Sequence, residues 1–285
     1  MQDKSLTLTP EILEIVQNQG TEMPGTGKYC TVKQEGSYLC RRCGLALFSA
    51  KTKFDSGTGW PSFDASCSKN VTHVPDVDQR RTEILCSRCR GHLGHVFKGE
   101  KMTTKNERYC VNSLSLDFVK DEHVQDSEEA LFAGGCFWGV EYLLAKIPGV
   151  LKVEVGYMGG HVENPTYKMI CQGDTGHIEG ARVIFDPKKI NFEKLTRAFF
   201  EIHDPTQKNG QGPDIGSQYQ SAVFYLDEKQ KQTTLGLIEI LKNKGFDVAT
   251  QVLKASTFWP AEDYHQAYYE SKAAEPYCHV YTKRF

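Results

Sequence analysis

The sequence predicts two domains of different fold class, a mainly β N-terminal domain and an α+β C-terminal sandwich of the ferredoxin-like (split βαβ) type. Three observations support this prediction. The chain has 285 residues, enough for two domains of ordinary size. Its first half is rich in glycine, cysteine and short apolar runs, whereas strand-like and helical segments alternate in its second half. We expect domains at residues 1–120 and 129–285, joined by a linker at residues 121–128.

The composition is that of a globular protein and argues against several classes. The formal net charge is −2, so no basic excess indicates a nucleic-acid partner. No apolar run reaches the roughly 18 residues of a membrane span, and the first residues lack the apolar region of a signal peptide. We therefore expect a cytoplasmic protein with no membrane partner. An upstream leader outside this sequence would allow an extracytoplasmic form instead.

The first half predicts one helix followed by strands. In LTPEILEIVQNQG, Thr9 is placed to cap a helix, Pro10 suits its first position, and Gly20 can end it. Short apolar runs separated by turn residues follow, as in SYLC, HVFKGE and RYCVNSLSLDFV, and they predict strands. Around VKDEHVQDSEEA the apolar pattern stops and acidic residues dominate, which is typical of a linker.

The second half predicts four strands and two main helices. The strand-like EALFAGG precedes the helical GVEYLLAK, and VLKVEVGY and ARVIFD follow as two strands. In NFEKLTRAFFEI, Asn191 can cap a helix with one apolar face, formed by Phe192, Leu195, Phe199 and Ile202. SAVFYLD predicts the last strand. The order βαββαβ is that of a ferredoxin-like sandwich.

Four of the ten cysteines form two C-x-x-C pairs, Cys40 with Cys43 and Cys86 with Cys89. Four thiolates at this spacing are the ligand set of a closed structural zinc site, which here would join two distant hairpins. Free or redox-active pairs are the alternative, but a redox C-x-x-C normally begins a helix, and neither pair is predicted to do so. We therefore predict one structural Zn²⁺ and no organic cofactor.

A candidate reactive cysteine, Cys110, lies in the strand-like ERYCVNSLSLDFV. Alternation along this run predicts one shared face, formed by Arg108, Cys110, Asn112, Leu114, Leu116 and Phe118. The Arg108 guanidinium favours a thiolate, and His92 and His95 in GHLGHVF can transfer protons. Trp60 in SGTGWPSF supplies an aromatic wall. Taken singly, each of these residues could instead be an ordinary core side chain.

Another candidate, Cys136, stands in AGGCFWG, where an apolar strand turns into a helix. A helix N-terminus favours the thiolate of such a cysteine, and the flanking glycines would let a substrate reach the sulfur. Phe137 and Trp138 can form an apolar slot for a methyl group. The alternative is a core cysteine beside core aromatic residues.

The motifs FDSGTGWPSF, HLGHVF and RYCVNS, together with the two C-x-x-C pairs, resemble type B methionine sulfoxide reductases over nearly the whole first half. By this resemblance Cys110 is the nucleophile, Arg108 supports its thiolate, and Trp60 holds the substrate methyl group. Three residues would position the sulfoxide and a water, namely His92, His95 and Asn112. One departure matters, because the family often has a resolving cysteine where this chain has Thr58.

From about residue 129 to the end the chain resembles type A methionine sulfoxide reductases, through GCFWG, GYMGG, NPTY, GDTGHIEGARV, GPDIGSQYQS and AEDYHQ. The resemblance makes Cys136 the nucleophile and Glu179 the acid that protonates the sulfoxide oxygen. Hydrogen bonds to that oxygen would come from Tyr167 and Tyr219. Asp214 would orient the site, although GPDIG departs from the family's commoner GNDxG.

The combined resemblance implies a fused enzyme that reduces both sulfoxide epimers, R in the N-terminal domain and S in the C-terminal domain. Each cysteine would become a sulfenic acid, and a second thiol would convert it to a disulfide that thioredoxin or a similar dithiol reduces. Cys278, carried by a mobile tail, would resolve Cys136. For Cys110 we expect Cys30, in a flexible segment, with Cys67, direct reduction or help from Cys278 as alternatives.

Two other function classes are compatible with parts of the sequence. A zinc-ribbon module that binds nucleic acid or protein would explain the C-x-x-C pairs, but it predicts a basic face and leaves Cys110 and Cys136 unused. A thiol peroxidase or general disulfide oxidoreductase would explain the reactive thiols. It has no need of Trp60, Phe137 and Trp138 as methyl pockets.

Overall fold

The computed structural model describes residues 2–76 and 80–285. The chain forms two compact units, with the division between Glu128 and Glu129. Every helix among the described residues is too short or too polar to cross a bilayer. All ten cysteines are free thiols, so the geometry is that of the reduced protein.

The first unit contains one α-helix and two β-sheets. Thr9 caps the helix, Pro10–Asn18 (α1), by accepting a hydrogen bond from the Ile12 N–H, and Gln19, with φ of 61°, ends it one residue before Gly20. The strands are Ser37–Cys40 (β1), Ala46–Ser49 (β2), Lys53–Phe54 (β3), Ser62–Phe63 (β4), Val71–Pro75 (β5), Thr82–Cys86 (β6), His92–Lys98 (β7), Glu107–Val111 (β8) and Leu116–Val119 (β9).

One sheet of the first unit has the strand order β2-β1-β9 and the other β3-β4-β8-β7-β6-β5. The fully buried rings of Tyr38, Phe48 and Phe63 pack together, with the two phenylalanine centroids 4.4 Å apart. Burial of such rings is the main source of stability in a domain of this size. The mainly β character predicted for the first half is confirmed.

The run ERYCVNSLSLDFV is not one strand, so the shared face predicted from Arg108 to Phe118 is wrong. β8 ends at Val111, a 3₁₀ turn spans Ser113–Ser115, and β9 pairs with β1 in the other sheet. The break occurs at Asn112, whose backbone N–H and side-chain amide both donate to the Leu93 carbonyl. Local bonds of this kind compete with a continuous ladder.

The second unit is an α+β structure. Its strands are Glu128–Gly134 (β10), Val150–Met158 (β11), Ile178–Phe185 (β12), Gly210–Gln211 (β13), Asp214–Ile215 (β14), Ser221–Tyr225 (β15), Gln251–Lys254 (β16) and Trp259–Pro260 (β17). Its α-helices are Phe137–Ala145 (α2), Tyr167–Gln172 (α3), Phe192–Ile202 (α4), Glu228–Asn243 (α5) and Tyr268–Lys272 (α6).

Six strands of the second unit form one sheet in the order β16-β15-β10-β12-β11-β17. β10 and β15 run antiparallel, as do β11 and β12, whereas β16 adds to β15 in parallel. Asn191 caps α4 by accepting a hydrogen bond from the Lys194 N–H. The apolar side of this helix packs on the sheet, where the Phe199 and Phe132 ring centroids lie 4.6 Å apart.

Candidate active sites

Four cysteine sulfurs of the first unit gather in one place. Cys40 and Cys43 flank the turn between β1 and β2, and Cys86 and Cys89 flank the turn between β6 and β7. All four Sγ atoms lie within 4.8 Å of one another, and the Cys40–Cys89 and Cys43–Cys86 sulfurs are each 3.6 Å apart. The structure thus brings together the two hairpins that the sequence predicted to share a metal.

The spacing of these sulfurs fits a tetrahedral metal. A zinc–sulfur bond of about 2.3 Å gives an edge of about 3.8 Å between ligand sulfurs in a regular tetrahedron. The two shortest separations are close to that value, and three of the four cysteines are buried. This cluster can therefore hold one metal ion with no position left for a substrate.

Cys110 lies on β8, opposite Ser62 of β4 and His95 of β7. Burial raises the pKa of its thiol, while the Arg108 guanidinium and the Thr58 hydroxyl act to lower it. Glu100 holds Arg108 through two hydrogen bonds of 2.8 and 2.9 Å. Arg108 therefore acts in the expected direction, but burial outweighs it in the substrate-free protein.

Two histidines of β7 are each paired with a carboxylate. His92 Nδ1 lies 2.6 Å from Glu83 Oε1, and His95 Nε2 lies 2.8 Å from Asp76 Oδ2. Burial lowers the pKa of His92 despite the Glu83 carboxylate, so the neutral ring carries its proton on Nδ1. Its Nε2 atom is buried and without a hydrogen-bond partner among the described residues. That lone pair is available to a bound molecule.

Asn112 and Trp60 both contact Glu22, in the loop after α1. The Trp60 indole N–H donates to the Glu22 carbonyl at 3.0 Å, and the Glu22 N–H donates to Asn112 Oδ1 at 3.0 Å. The Asn112 amide nitrogen donates to the Leu93 carbonyl. Asn112 directly follows β8, the strand that carries Cys110. It therefore connects the loop after α1 to β7.

Cys30 lies close to the loop that faces Cys110. Its Sγ donates to the Gly59 carbonyl at 3.1 Å, and Gly59 follows Thr58. The segment before Cys30 is tied down, since the Gly25 N–H donates to the same carbonyl and the Tyr29 N–H donates to Ser113. The expected flexibility of this segment is therefore not seen. Cys67 stands at the start of the 3₁₀ turn Ser68–Asn70, and its backbone N–H donates to the Leu47 carbonyl oxygen.

In the second unit, Cys136 occupies the N-cap of α2, at the strand-to-helix junction that the sequence predicted. Its pKa is raised, first by a hydrogen bond with Cys278 and then by burial, and the Trp138 N–H only partly offsets this. The start of α2 therefore acts in the direction that the sequence predicted, but Cys278 and burial outweigh its effect on the Cys136 pKa in the reduced protein.

The glycines around Cys136 make room for side chains of the protein. A Cβ on Gly135 would lie 2.3 Å from the Gln211 Cβ, and Gly135 has φ of +93°. A Cβ on Gly139 would lie 2.2 Å from His279 Nδ1. Glycine is therefore required at both positions for packing, because Gln211 and His279 cross the backbone there, and the predicted access of substrate to the sulfur stays a prediction.

Cys136, Asp214 and Cys278 form one cluster, with their ligand atoms all within 4.8 Å of one another. Cys278 is buried and its Sγ lies 3.1 Å from His279 Nδ1, while His279 Nε2 lies 2.7 Å from the Gly134 carbonyl. The second thiol is thus already in place beside Cys136, so the expected swing of a mobile tail is unnecessary.

Glu179 lies on β12 and is 1% exposed. Its Oε2 accepts a hydrogen bond of 3.1 Å from the Phe137 N–H at the start of α2. Burial, followed by Cys136, raises the pKa of this carboxyl well above its ordinary range. A carboxyl group whose pKa is raised in this way, and which lies beside a thiol, can act as a general acid.

Tyr167 and Tyr219 belong to the surroundings of Glu179. Burial and then the Glu179 carboxyl raise the pKa of both tyrosines, and Cys136 adds to the effect on Tyr219. Both hydroxyls therefore stay protonated and can donate hydrogen bonds. Tyr167 begins α3, where Glu262 accepts its backbone N–H at 2.8 Å.

Trp138 is held by two aromatic neighbours. Its ring stacks on Tyr268 with centroids 3.7 Å apart, and its indole N–H donates to His265 Nδ1 at 3.1 Å. The His265 ring also contacts Phe137 and Tyr167, at centroid distances of 5.2 and 4.4 Å. These contacts hold the aromatic side chains next to Cys136 in fixed positions.

Several residues near the two sites were missed from the sequence, namely Glu22, Asp76, Glu83, Glu100, Gln211, Glu262, His265 and His279. One signal was available for Glu83, because it is a charged residue inside the otherwise apolar strand run of β6. Glu262 and His265 lie in the motif AEDYHQ, which was noted without a role for either residue. The others come from loops or, for Gln211, from a two-residue strand, where spacing carries no such signal.

Two family models match the chain, one described as peptide methionine sulfoxide reductase over residues 128–285 and one as the SelR domain over residues 8–120. The peptide methionine sulfoxide reductase MsrA of Acinetobacter baumannii (strain AYE) is 48% identical over 151 residues, which cover 53% of this chain and 87% of the relative. The MsrA of Methanosarcina acetivorans is 49% identical over 148 residues, covering 51% of this chain and 79% of the relative.

Among solved structures, Mxr1 from Saccharomyces cerevisiae in reduced form matches with a TM-score of 0.52 and 34% sequence identity. The match covers 54% of this chain and 92% of that one. It therefore concerns one domain of the present chain.

Proposed function

Because the chain belongs to the peptide methionine sulfoxide reductase family, as a fusion of an N-terminal SelR domain with a C-terminal type A domain, we propose that Cys110 and Cys136 are the nucleophiles of two separate sites. The enzyme itself reduces methionine sulfoxide with thiols, the R-epimer in the N-terminal domain and the S-epimer in the C-terminal domain. Each domain acts on one epimer, so a single chain repairs both products of methionine oxidation.

In the C-terminal domain the sulfur of Cys136 attacks the sulfoxide sulfur while Glu179 delivers a proton to the sulfoxide oxygen. Tyr167 and Tyr219 donate hydrogen bonds to that oxygen. Methionine leaves and Cys136 becomes a sulfenic acid, having taken up the oxygen. The observation that carries this proposal is the burial of Glu179 beside the α2 N-terminus, with a pKa raised well above its usual range.

Cys278 then condenses with the sulfenic acid, which releases water and leaves a Cys136–Cys278 disulfide. The common cluster of these sulfurs with Asp214 supports this step, and Asp214 serves as the residue that orients the pair. Phe137 and Trp138 form the slot for the substrate methyl group. The stacking of Trp138 on Tyr268 supports a fixed wall for that slot.

In the N-terminal domain Cys110 attacks the R-sulfoxide, with Arg108 stabilising its thiolate. His92 and His95 position the sulfoxide and a water, and the unpartnered Nε2 of His92 supports this role. Asn112 and Trp60 complete the pocket, Trp60 by contacting the substrate methyl group. Both side chains hydrogen-bond the backbone of Glu22, which supports a pocket that is formed before substrate binds.

Cys30 resolves Cys110 in this proposal. Cys30 bonds the Gly59 carbonyl and Thr58 bonds Cys110, so the two thiols contact adjacent residues of one loop. Cys67 is the weaker alternative, because its backbone belongs to a turn attached to β2. Direct reduction of the sulfenic acid is the remaining alternative.

The other assignments follow from the chemistry of the donors and the topology. Zinc is the metal held by Cys40, Cys43, Cys86 and Cys89, since four thiolates near tetrahedral spacing, three of them buried, suit it. Domains at residues 1–120 and 129–285 with a linker at 121–128 are part of the proposal. The sheet order β15-β10-β12-β11 with two helical crossovers supports a ferredoxin-like core.

Thioredoxin or a similar dithiol returns both disulfides to thiols by exchange. Dithiol reductants of this kind keep thiols reduced in the cytosol, so a cytoplasmic location belongs to the same proposal.

The test assays each epimer separately on three variants. Cys136→Ser should lose S-sulfoxide reduction only, and Cys110→Ser should lose R-sulfoxide reduction only. Cys171→Ser, an exposed thiol outside both proposed pairs, controls for the loss of a cysteine as such. Loss of both activities in one of the first two variants would overturn the assignment of separate sites.

A further inference from the structure

The cluster of Cys136, Asp214 and Cys278 has the composition of a metal site as well as that of a redox pair. Two sulfurs and one carboxylate oxygen lie within 4.8 Å of one another in the reduced protein. Ligand atoms this close can be drawn onto one ion with small side-chain movements, because neighbouring ligands of a tetrahedral zinc site lie about 3.8 Å apart. This cluster is separate from the four-cysteine cluster of the other unit.

Asp214 provides an independent indication of a missing partner. The Tyr277 side chain hydrogen-bonds the Asp214 carboxylate, but the Oδ2 atom is buried and has no hydrogen-bond partner among the described residues. A buried carboxylate oxygen without a donor is costly, and a cation at the cluster would supply the missing interaction. Cys136 and Cys278 are 8% and 9% exposed, so the ion would be shielded on most sides.

We propose that the reduced C-terminal domain binds one thiophilic divalent cation, such as Zn²⁺, through Cys136 Sγ, Cys278 Sγ and a carboxylate oxygen of Asp214. Two sulfur ligands favour zinc over magnesium or calcium, which prefer oxygen. Binding forms two metal–sulfur bonds and releases the two thiol protons, with no change in oxidation state.

The bound ion blocks S-sulfoxide reduction because it occupies the sulfur that attacks the substrate. It leaves R-sulfoxide reduction unaffected. Formation of the Cys136–Cys278 disulfide removes both sulfur ligands, so the oxidised domain does not bind the ion. This redox dependence rests on the proposed function, whereas the site itself rests on the reduced geometry alone.

The test counts zinc bound to the full chain after equilibration with Zn²⁺ and removal of free ion. The fully reduced chain should hold one equivalent more than the chain oxidised by one turnover with S-sulfoxide in the absence of a dithiol. Cys278→Ser should lose the extra equivalent, and Asp214→Asn should bind it at least about tenfold more weakly, the lower limit for loss of a group that merely supports a metal ligand. Cys171→Ser, the matched thiol control, should retain it.

Titration of the reduced wild type with Co²⁺ gives a second measurement that needs no variant. The extra equivalent should produce a sulfur-to-cobalt charge-transfer band that is missing from the oxidised chain. The proposal is overturned if the reduced chain binds no extra equivalent, if Cys278→Ser retains it, or if Asp214→Asn binds it unchanged. S-sulfoxide reduction by the metal-free chain, measured in parallel, tests the proposed function separately.

Discussion

The thiol of Cys30 donates a hydrogen bond of 3.1 Å to the carbonyl oxygen of Gly59. The residue before Gly59 is Thr58, whose hydroxyl contacts the Cys110 sulfur. The proposed resolving thiol and the proposed nucleophile therefore contact adjacent residues of the same loop.

We expect one stoichiometric turnover of R-sulfoxide to leave a Cys110–Cys30 disulfide, which peptide mapping would detect. Cys30→Ser should complete that first turnover and stop with a sulfenic acid on Cys110, because the proposed resolving thiol is gone. Cys67→Ser is the matched control and should cycle normally. A Cys110–Cys67 disulfide, or a sulfenic acid as the wild-type product, would contradict the assignment.

Thr58→Cys should rescue the Cys30→Ser variant. The hydroxyl of Thr58 already bonds the Cys110 sulfur, so a thiol at the same place should condense with the sulfenic acid. Steady-state R-sulfoxide reduction with a dithiol should return, and peptide mapping of the double variant should show a disulfide between Cys110 and the introduced thiol. Thr58→Ser in the same background should give no rescue, since a hydroxyl cannot form the disulfide.

Glu179→Gln should slow the first step of S-sulfoxide reduction by roughly 10²–10⁴-fold, the usual share of general acid catalysis. The raised pKa means that Glu179 donates while protonated, and the contribution is lost as the pH rises through that pKa. The alkaline decline of single-turnover rates in the wild type should therefore disappear in Glu179→Gln. R-sulfoxide reduction by the same variant serves as the internal control. If the pH dependence of S-sulfoxide reduction is unchanged in Glu179→Gln, the proton comes from another group.

Glu83→Gln should weaken R-sulfoxide reduction by about 10²-fold, the cost of a misplaced catalytic group. Glu83 holds His92 Nδ1 at 2.6 Å and its charge raises the His92 pKa against the effect of burial. Removing that charge lowers the pKa, so the acid limb of the pH profile should move to lower pH. If Glu83 has only a structural role, the variant should lose rate without a shift of the acid limb. S-sulfoxide reduction is the control and should not change.

Removal of the metal should abolish R-sulfoxide reduction and leave S-sulfoxide reduction largely intact. The four ligand cysteines all belong to the first unit, and the binding energy of a structural zinc is also folding energy. Activity on each epimer after treatment with a strong chelator, together with circular dichroism, checks this outcome. Equal loss of both activities would show that the domains do not fold independently.

The predicted secondary structure succeeded where one local pattern decided the outcome. Thr9 and Asn191 cap the helices assigned to them, and Cys136 stands at the expected junction of strand and helix. The single strand predicted through ERYCVNSLSLDFV was wrong because a contact with a distant segment, and not the local pattern, decided the outcome. Alternation continues through Asn112, but its bonds to Leu93, a residue distant in sequence, end the strand there.

The sequence by itself determined the two-part organisation, the cysteine pairs and the family with its reaction, because these depend on residue types at short, ordered spacings. Only the tertiary structure decided how the reactive side chains pair and in which direction their pKa values shift. It placed Cys278 beside Cys136 without a tail movement, and it raised the pKa values of the Cys136 thiol and of Glu179. Burial and contacts between distant segments cause these effects, and neither quantity is encoded in the spacing of residues along one segment.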